Sequence, residues 1–162
     1  MADLIHWFAG FPTQAVAFLQ TSAWPIHPLE DNAFGLFSFQ NGVVASLHTS
    51  WTQWKNLFCF EGHGVKGSLN IDGLGGSYGI EKLTIAIRNV KGGAPKMSEE
   101  IFDQPDFSWR DEWNEMVKVL TDGGNTYCGT PSDGVAAMAM VNGLYESAKK
   151  NMVICLENRH RA

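Results

Sequence analysis

The chain lacks the features that mark several common classes of protein. No run of lysine or arginine occurs, and 12 basic side chains stand against 17 acidic ones, which gives a formal net charge of −5. Nucleic acids and acidic membranes attract a basic field, so the composition argues against both as partners. No uninterrupted apolar stretch approaches the roughly 18 residues of a membrane-spanning helix. The first three residues, Met1-Ala2-Asp3, place an acid where a signal peptide is basic.

Cysteine is scarce as well. The three cysteines, Cys59, Cys128 and Cys155, form no Cys-x-x-Cys pair and lie in or near apolar segments. An odd number cannot pair completely, and structural disulfides are typical of oxidising compartments. We therefore predict three reduced, buried thiols in a cytoplasmic protein whose fold depends on no bridge.

The composition that remains is that of a folded protein. Hydrophobic residues make up 44% and charged residues 18% of the chain, which is too apolar for a disordered segment. A chain of 162 residues is large enough to bury its own core. We predict a single domain over residues 1–162.

One glycine-rich segment spells a nucleotide-binding fingerprint. Gly62, Gly64 and Gly67 match the pattern Gly-x-Gly-x-x-Gly. That fingerprint binds a pyrophosphate only where a strand leads in and a helix leads out. Here the next residues, 68–72, alternate between polar and apolar and are followed by more glycines. We interpret the segment as a hairpin turn, and the chain then carries no cofactor-binding residues of its own.

Hydrophobic periodicity divides the chain into strands and helices. Residues 3–8 predict a short helix that ends at Gly10, and Asn41-Gly42 predicts a two-residue hairpin turn. A period of two predicts strands at 15–20, 33–40, 43–52, 55–61, 67–72 and 81–90. After Pro105 the period becomes 3.6, which predicts one helix with Trp109, Trp113, Met116, Val117 and Leu120 on its apolar face. A second helix begins at Thr130-Pro131, and its expected buried residues are Ala137, Met138, Val141, Leu144, Tyr145 and Ala148. Residues 152–156 predict a last strand.

These elements predict an α+β fold: a predominantly antiparallel (mixed) open sheet with both helices on one face. Residues 33–40 place Phe37 and Phe39 on one face and Phe34 and Leu36 on the other. Helices can cover only one of these faces, and a soluble monomer rarely exposes so large an apolar patch. We therefore expect the open face to serve oligomerisation, with a second copy of the chain as the partner.

Several short strings occur in a fixed order along the chain. They are DLIHWFAG at 3–10, FSFQNGVVA at 37–45, GVKGSL at 64–69, residues 113–124, Asp133-Gly134 and LYESA at 144–148. From the first residues to about Leu156, their order resembles the C-terminal domain of the glucose–fructose oxidoreductase and inositol dehydrogenase family (Gfo/Idh/MocA), in which the region of Gly64–Gly67 is a strand turn.

The resemblance implies a domain from an NAD(P)-dependent enzyme that acts on sugars or polyols. In that family a Rossmann domain comes first, and the members are commonly dimers or tetramers built through the sheet. By register, Asp3 corresponds to the acid three residues after the family's catalytic histidine. The family's lysine, acid and histidine would precede Met1, so no catalytic residue is assigned, and His6 lies beyond the active-site position. NAD or NADP is implied only if a Rossmann domain is supplied.

The best candidates for contact with a substrate are His48, Trp51, Gln53 and Trp54. Aromatic faces stack on sugar rings, and neighbouring polar groups hold hydroxyls. The competing interpretation places these tryptophans in the core or in an interface.

Other polar groups are weaker candidates. Glu61 and His63 have the spacing of metal ligands but no third partner, so no metal is predicted. His27, Glu30 and Asp31 share a loop in which an acid–base pair is conceivable, although a solvated loop is the simpler interpretation. Two hypotheses for the whole chain remain open: the substrate-side and oligomerisation domain of an oxidoreductase, and a stand-alone binding or assembly module.

Overall fold

The computed structural model of the chain describes residues 1–124 and 129–157. It contains three helices and eight strands among these residues. In chain order they are α1 Ala2–Ala9, β1 Gln14–Gln20, β2 Asn32–Ser38, β3 Val44–Ser50, β4 Cys59–Gly64, β5 Gly67–Asp72, β6 Glu81–Ile87, β7 Lys96–Phe102, α2 Ser108–Asp122, α3 Pro131–Lys150 and β8 Ile154–Cys155. The predicted α+β class with antiparallel, open sheets is confirmed.

The strands form two sheets rather than one continuous meander. One sheet has the order β3-β2-β1-β8 and the other the order β4-β5-β6-β7, and every pairing is antiparallel. The chain divides into two compact units, residues 1–52 with the described residues from 115 onward, and residues 53–114. A single domain over residues 1–162 stays a prediction.

The core of the first unit lies between its sheet and α3. The buried apolar side chains are Ala2, Ile5, Ala15, Ala17, Phe37, Phe39, Ala136, Met140 and Leu144. Phe37 is completely buried, whereas its neighbours Phe34 and Leu36 are 44% and 48% exposed. The predicted assignment of these phenylalanines to opposite faces is therefore confirmed, and α3 covers only one face.

Helix α3 begins as the sequence predicts but buries a different face. The Thr130 hydroxyl accepts a hydrogen bond from the Asp133 N–H, and the Asp133 carboxylate accepts one from the Thr130 N–H. The buried residues are Ala136, Met140, Gly143, Leu144 and Ser147, so the prediction was right for Leu144 and wrong for Met138 and Tyr145, which are exposed. A small residue of the sheet also allows α3 to approach closely: a Cβ on Gly35 of β2 would lie 2.9 Å from Leu144 Cδ2.

The β2–β3 hairpin has a three-residue loop instead of the predicted two-residue turn. The Gly42 N–H donates to the Phe39 carbonyl and the Phe39 N–H donates to the Val43 carbonyl, both at 3.0 Å. Only Gly42 has a positive φ, of 83°, so a type I turn followed by a left-handed glycine forms. Asn41 has another use, since its side-chain oxygen accepts a hydrogen bond from the Val43 N–H.

The glycine fingerprint forms a strand turn in the second unit, as predicted. β4 ends at Gly64 and β5 begins at Gly67, with Val65 and Lys66 between them. Gly67 is required by the neighbouring strand, because a Cβ there would lie 2.1 Å from the Ala86 carbonyl oxygen. The last strand of this sheet, β7, was not predicted, since its residues lack alternation and are all exposed.

Three further expectations fail. Helix α2 forms where predicted, yet it buries none of its residues. Cys59 and Cys155 are free but exposed instead of buried, and Cys128 lies outside the described residues. The last strand forms where predicted, but β8 is shorter than expected and has only two residues. Among the described helices, none combines the length and apolar character needed to cross a membrane.

Candidate functional site

The open face of the first sheet is an uncharged surface. The register aligns Val16 with Leu36 and Phe18 with Phe34, and Phe34 in turn with His48. Phe18 is 73% exposed and Val44, at the end of the same face, 67%. The side chains on this face of the three long strands are Gln14, Val16, Phe18, Gln20, Asn32, Phe34, Leu36, Ser38, Val44, Ser46, His48 and Ser50. His48 is the only titratable group among them.

His48 and Trp51, two of the four predicted substrate contacts, belong to the first unit. The His48 imidazole stacks on the Phe34 ring, with centroids 4.3 Å apart and planes 12° from parallel. Both polar groups of the Trp51 backbone form hydrogen bonds. The N–H donates to the Asp31 carbonyl at 2.9 Å, and the carbonyl accepts a hydrogen bond from Trp24 Nε1 at 3.1 Å. The Trp51 indole is 76% exposed. A held backbone with a free aromatic face suits stacking on a ligand.

Gln53 and Trp54, the other two, belong to the second unit. Trp54 has a positive φ of 54°, which is uncommon for a bulky residue, and its side chain is 74% exposed. Neither tryptophan is a core residue, so the core alternative weighed from the sequence is wrong for both. Their role in substrate binding stays a prediction.

Asp31 is a buried carboxylate that accepts several hydrogen bonds. It is 2% exposed. Its oxygens accept hydrogen bonds from the backbone N–H groups of Ser22, Ala23 and Trp24, at 2.7 to 3.0 Å, and from the Ser22 hydroxyl and the Asn32 side-chain amide. The bonds fix the loop between β1 and β2 against the end of the sheet.

These bonds determine the charge state of Asp31. Burial raises the pKa of the carboxyl, but the backbone donors of Ala23, Trp24 and Ser22 together with the Asn32 amide outweigh it and hold the pKa well below its usual range. A lowered pKa makes the carboxylate a weak base, and its oxygens already accept hydrogen bonds from the loop. The arrangement favours a structural role for Asp31 over that of a general base.

Glu30 and His27, the other two candidates in the loop between β1 and β2, do not form an acid–base pair with Asp31. Glu30 accepts a hydrogen bond from the Tyr145 hydroxyl, which ties the loop to α3. That bond, with burial and the negative charge of Glu30, raises the pKa of Tyr145. His27 is exposed. The arrangement favours a structural loop over a catalytic one.

Glu61 and His63 lie side by side on one face of the second sheet, with Glu61 Oε2 3.5 Å from His63 Nε2. The Cys59 thiol donates to Asn70 Oδ1 at 3.1 Å. Partial desolvation of the thiol and the neighbouring carboxylates of Asp72 and Glu61 raise the pKa of Cys59 to about 11, so this thiol is a poor nucleophile at neutral pH. No group of three metal-ligating side chains occurs within residues 1–124 and 129–157.

Comparison with known proteins relates this fold to oxidoreductases. Residues 1–70 match the family model of the GFO/IDH/MocA C-terminal domain. A search of curated protein sequences gives no match. Among solved structures, the chain is similar to levoglucosan dehydrogenase in complex with NADH and levoglucosan (TM-score 0.76, 17% identity, 97% of this chain and 48% of that one). It is also similar to the aldose-aldose oxidoreductase of Caulobacter crescentus complexed with glycerol (TM-score 0.75, 18% identity, 95% and 44%).

A third similar structure is the WlbA dehydrogenase of Bordetella pertussis in complex with NADH and UDP-GlcNAcA (TM-score 0.71, 18% identity, 96% and 42%). The chain spans slightly less than half the length of each of these three enzymes. At such identities the likeness establishes the fold. Together with the family model over residues 1–70, it confirms the resemblance of the chain to the C-terminal domain of the Gfo/Idh/MocA family.

Proposed function

We propose that the chain is the substrate-side and oligomerisation domain of an NAD(P)-dependent oxidoreductase that acts on a sugar or polyol, and that it is inactive by itself. We also propose that the protein is cytoplasmic, because its three cysteines form no Cys-x-x-Cys pair and cannot all be paired. The observation that carries it is the shared fold, combined with an apolar sheet face that α3 leaves uncovered. Hydride transfer needs nicotinamide and substrate held together, and the described residues supply at most one wall for the substrate.

The exposed aromatic residues support a role on the substrate side. Trp51 and Trp54 offer indole faces, and His48 and Gln53 offer polar groups that can bond to hydroxyls. Three similar enzymes are described with levoglucosan, glycerol and UDP-GlcNAcA, all rich in hydroxyl groups. The substrate that we propose for this chain is therefore a polyhydroxylated compound.

The chain by itself is expected not to bind NADH or NADPH with micromolar affinity. Its Gly-x-Gly-x-x-Gly segment lies between two strands, so no helix N-terminus supports a pyrophosphate there. Titration of NADH fluorescence tests this, with full-length levoglucosan dehydrogenase as the positive control. A saturable signal with a micromolar dissociation constant would contradict the expectation.

The alternative function is a stand-alone binding or assembly module. Mixing the chain with an isolated Rossmann domain of a related enzyme distinguishes this hypothesis from that of an oxidoreductase domain. Sugar-dependent formation of NADH that is lost in Trp51→Ala supports the oxidoreductase domain. A stable chain that assembles yet never complements such a domain supports the module.

Self-association through the open face of the first sheet is the second expectation. Phe18, Phe34 and Leu36 form its apolar centre, and no charged side chain opposes a second copy there. Light scattering after size exclusion should give at least twice the 17.9 kDa of one chain at low micromolar concentration. Leu36→Glu should shift the mass to that of a monomer, because a two-fold interface would bury two unpaired carboxylates.

The matched control is Val65→Glu, which adds the same charge at an 83% exposed position of the β4–β5 turn. It should leave the mass unchanged. A wild-type monomer, or a Leu36→Glu protein that keeps its oligomeric mass, would exclude this face as the interface.

A further inference from the structure

A cleft of about 630 Å³ lies at one end of the second sheet. It is formed by the β4–β5 turn and by the loop between β6 and β7, and its lining includes His63, Gly64, Gly67, Arg88, Lys91 and Gly92. All these residues belong to the second unit. Two glycines of the fingerprint, Gly64 and Gly67, thus contribute to a cleft although no helix follows them.

The backbone of the cleft is held by hydrogen bonds. The Arg88 N–H donates to the Lys66 carbonyl at 2.9 Å, which continues the pairing of β5 and β6 by one step. Beyond it, the Asn89 side-chain oxygen accepts from the Lys91 N–H and its carbonyl accepts from the Gly92 N–H, both at 3.0 Å. Gly92 has a φ of 86°, which lets the loop turn back over the sheet end. Arg88 and Lys91 therefore extend from a defined turn.

The charge of the cleft is opposite to that of the chain. Arg88, Lys91 and His63 line it, and Lys66 lies in the adjoining turn. Among the ion pairs formed by the described residues, only His63 of this group takes part, through Glu61. Arg88, Lys66 and Lys91 thus concentrate unneutralised positive charge at one end of a protein whose formal net charge is −5.

We propose that this cleft binds a compact polyanion, a phosphate ester or a diphosphate. The Arg88 guanidinium supplies a planar pair of donors that matches a phosphoryl group, and Lys91 supplies a point charge on the neighbouring turn. Because Gly92 carries no side chain and nothing lies within 4 Å of the position that its Cβ would take, an anion can approach the backbone closely there. The site is independent of the sugar-binding role proposed for the tryptophans, and the residues that line the cleft include no phenylalanine, tyrosine or tryptophan for an adenine or nicotinamide ring.

Calorimetric titration of the full chain with inorganic pyrophosphate tests the proposal, with chloride at equal ionic strength as the blank. We expect saturable binding with a submillimolar dissociation constant that weakens as salt is added. Arg88→Gln and Lys91→Gln should each weaken it about tenfold. The side chains of Arg88 and Lys91 are exposed, so we expect both variants to fold. Thermal melts of the variants test this.

Lys149→Gln is the matched control, since it removes one positive charge from the exposed surface of α3 in the first unit. It should leave the affinity for pyrophosphate unchanged. If Lys149→Gln and Arg88→Gln weakened the binding of pyrophosphate equally, the net charge of the protein alone would explain the effect, and the proposal would be overturned. The absence of measurable binding up to about 10 mM pyrophosphate would overturn it as well.

Discussion

Replacing Phe37 by alanine is expected to lower the free energy of unfolding by about 3–5 kcal/mol. Phe37 is completely buried near the end of β2, on the face that α3 covers, where Met140 is also inaccessible to solvent. The substitution removes apolar surface and leaves a cavity that a sheet fixed by two neighbouring strands cannot close. Urea denaturation followed by circular dichroism measures the loss.

The control for Phe37→Ala is Trp7→Ala in α1, which removes an even larger aromatic ring. Trp7 is 76% exposed, so its loss should cost less than about 1 kcal/mol. Similar losses in the two variants would mean that Phe37 is not in a closely packed core.

Replacing Asp31 by asparagine is the second change with a large expected effect. The amide keeps the shape of the carboxylate but turns one acceptor into a donor, and this group then faces N–H donors such as those of Ser22, Ala23 and Trp24. We expect the melting temperature at pH 7 to fall by about 5–10 °C. Asp3→Asn, at an exposed site in α1, removes the same charge and should lower it by less than about 2 °C.

The same residue predicts a dependence on pH. An aspartate in the unfolded chain titrates near pH 3.9, and the folded pKa of Asp31 lies below that value. The stability that the ionised group contributes is therefore complete above about pH 5 and is lost as the pH falls from about 4 toward the folded pKa. Between pH 4 and pH 2 the urea midpoint of the wild type should decrease more steeply than that of Asp31→Asn. Parallel slopes would contradict the assignment.

Local signals in the sequence identified most of the elements because they depend on near neighbours. Asn41-Gly42 located the hairpin, Thr130-Pro131 located the start of α3, and alternation on β2 separated Phe37 from Leu36. Each of these signals acts within a few residues, so a single sequence contains all the information that it requires.

The errors arose where distant segments decide the outcome. Hydrophobicity pointed to Met138 and Tyr145 as the buried face of α3, but small residues are buried instead. Gly143 lies against Leu156, where a Cβ would be 2.5 Å from Cδ2, and the Ser147 hydroxyl accepts a hydrogen bond from the Ala17 N–H of the sheet. The polar bonds to Asp31 were missed for the same reason, since Ser22, Ala23 and Trp24 meet its carboxylate only when the loop between β1 and β2 closes. The spacing of Ser22 from Asp31 and Asn32 matches no recognisable sequence motif.

The prediction of buried cysteines failed because it rested on the average behaviour of the residue type. Cys155 pairs with Gln14 through the short edge strand β8, and its side chain is exposed there. The basic cleft escaped notice for a different reason. Its cations at 66, 88 and 91 are separated along the chain, and only the pairing of β5 with β6 brings them to one end of a sheet.

Ser147 has a consequence for how the first sheet can grow. β8 pairs with β1 only as far as Ala15. Two residues further on, the Ala17 N–H donates to the Ser147 hydroxyl at 3.1 Å, and that hydroxyl donates in turn to the Met152 carbonyl at 2.6 Å. A helix side chain thereby occupies a donor that an incoming strand from another molecule would need. At this edge the protein is protected against open-ended strand addition, and an assembly through the sheet face can remain finite.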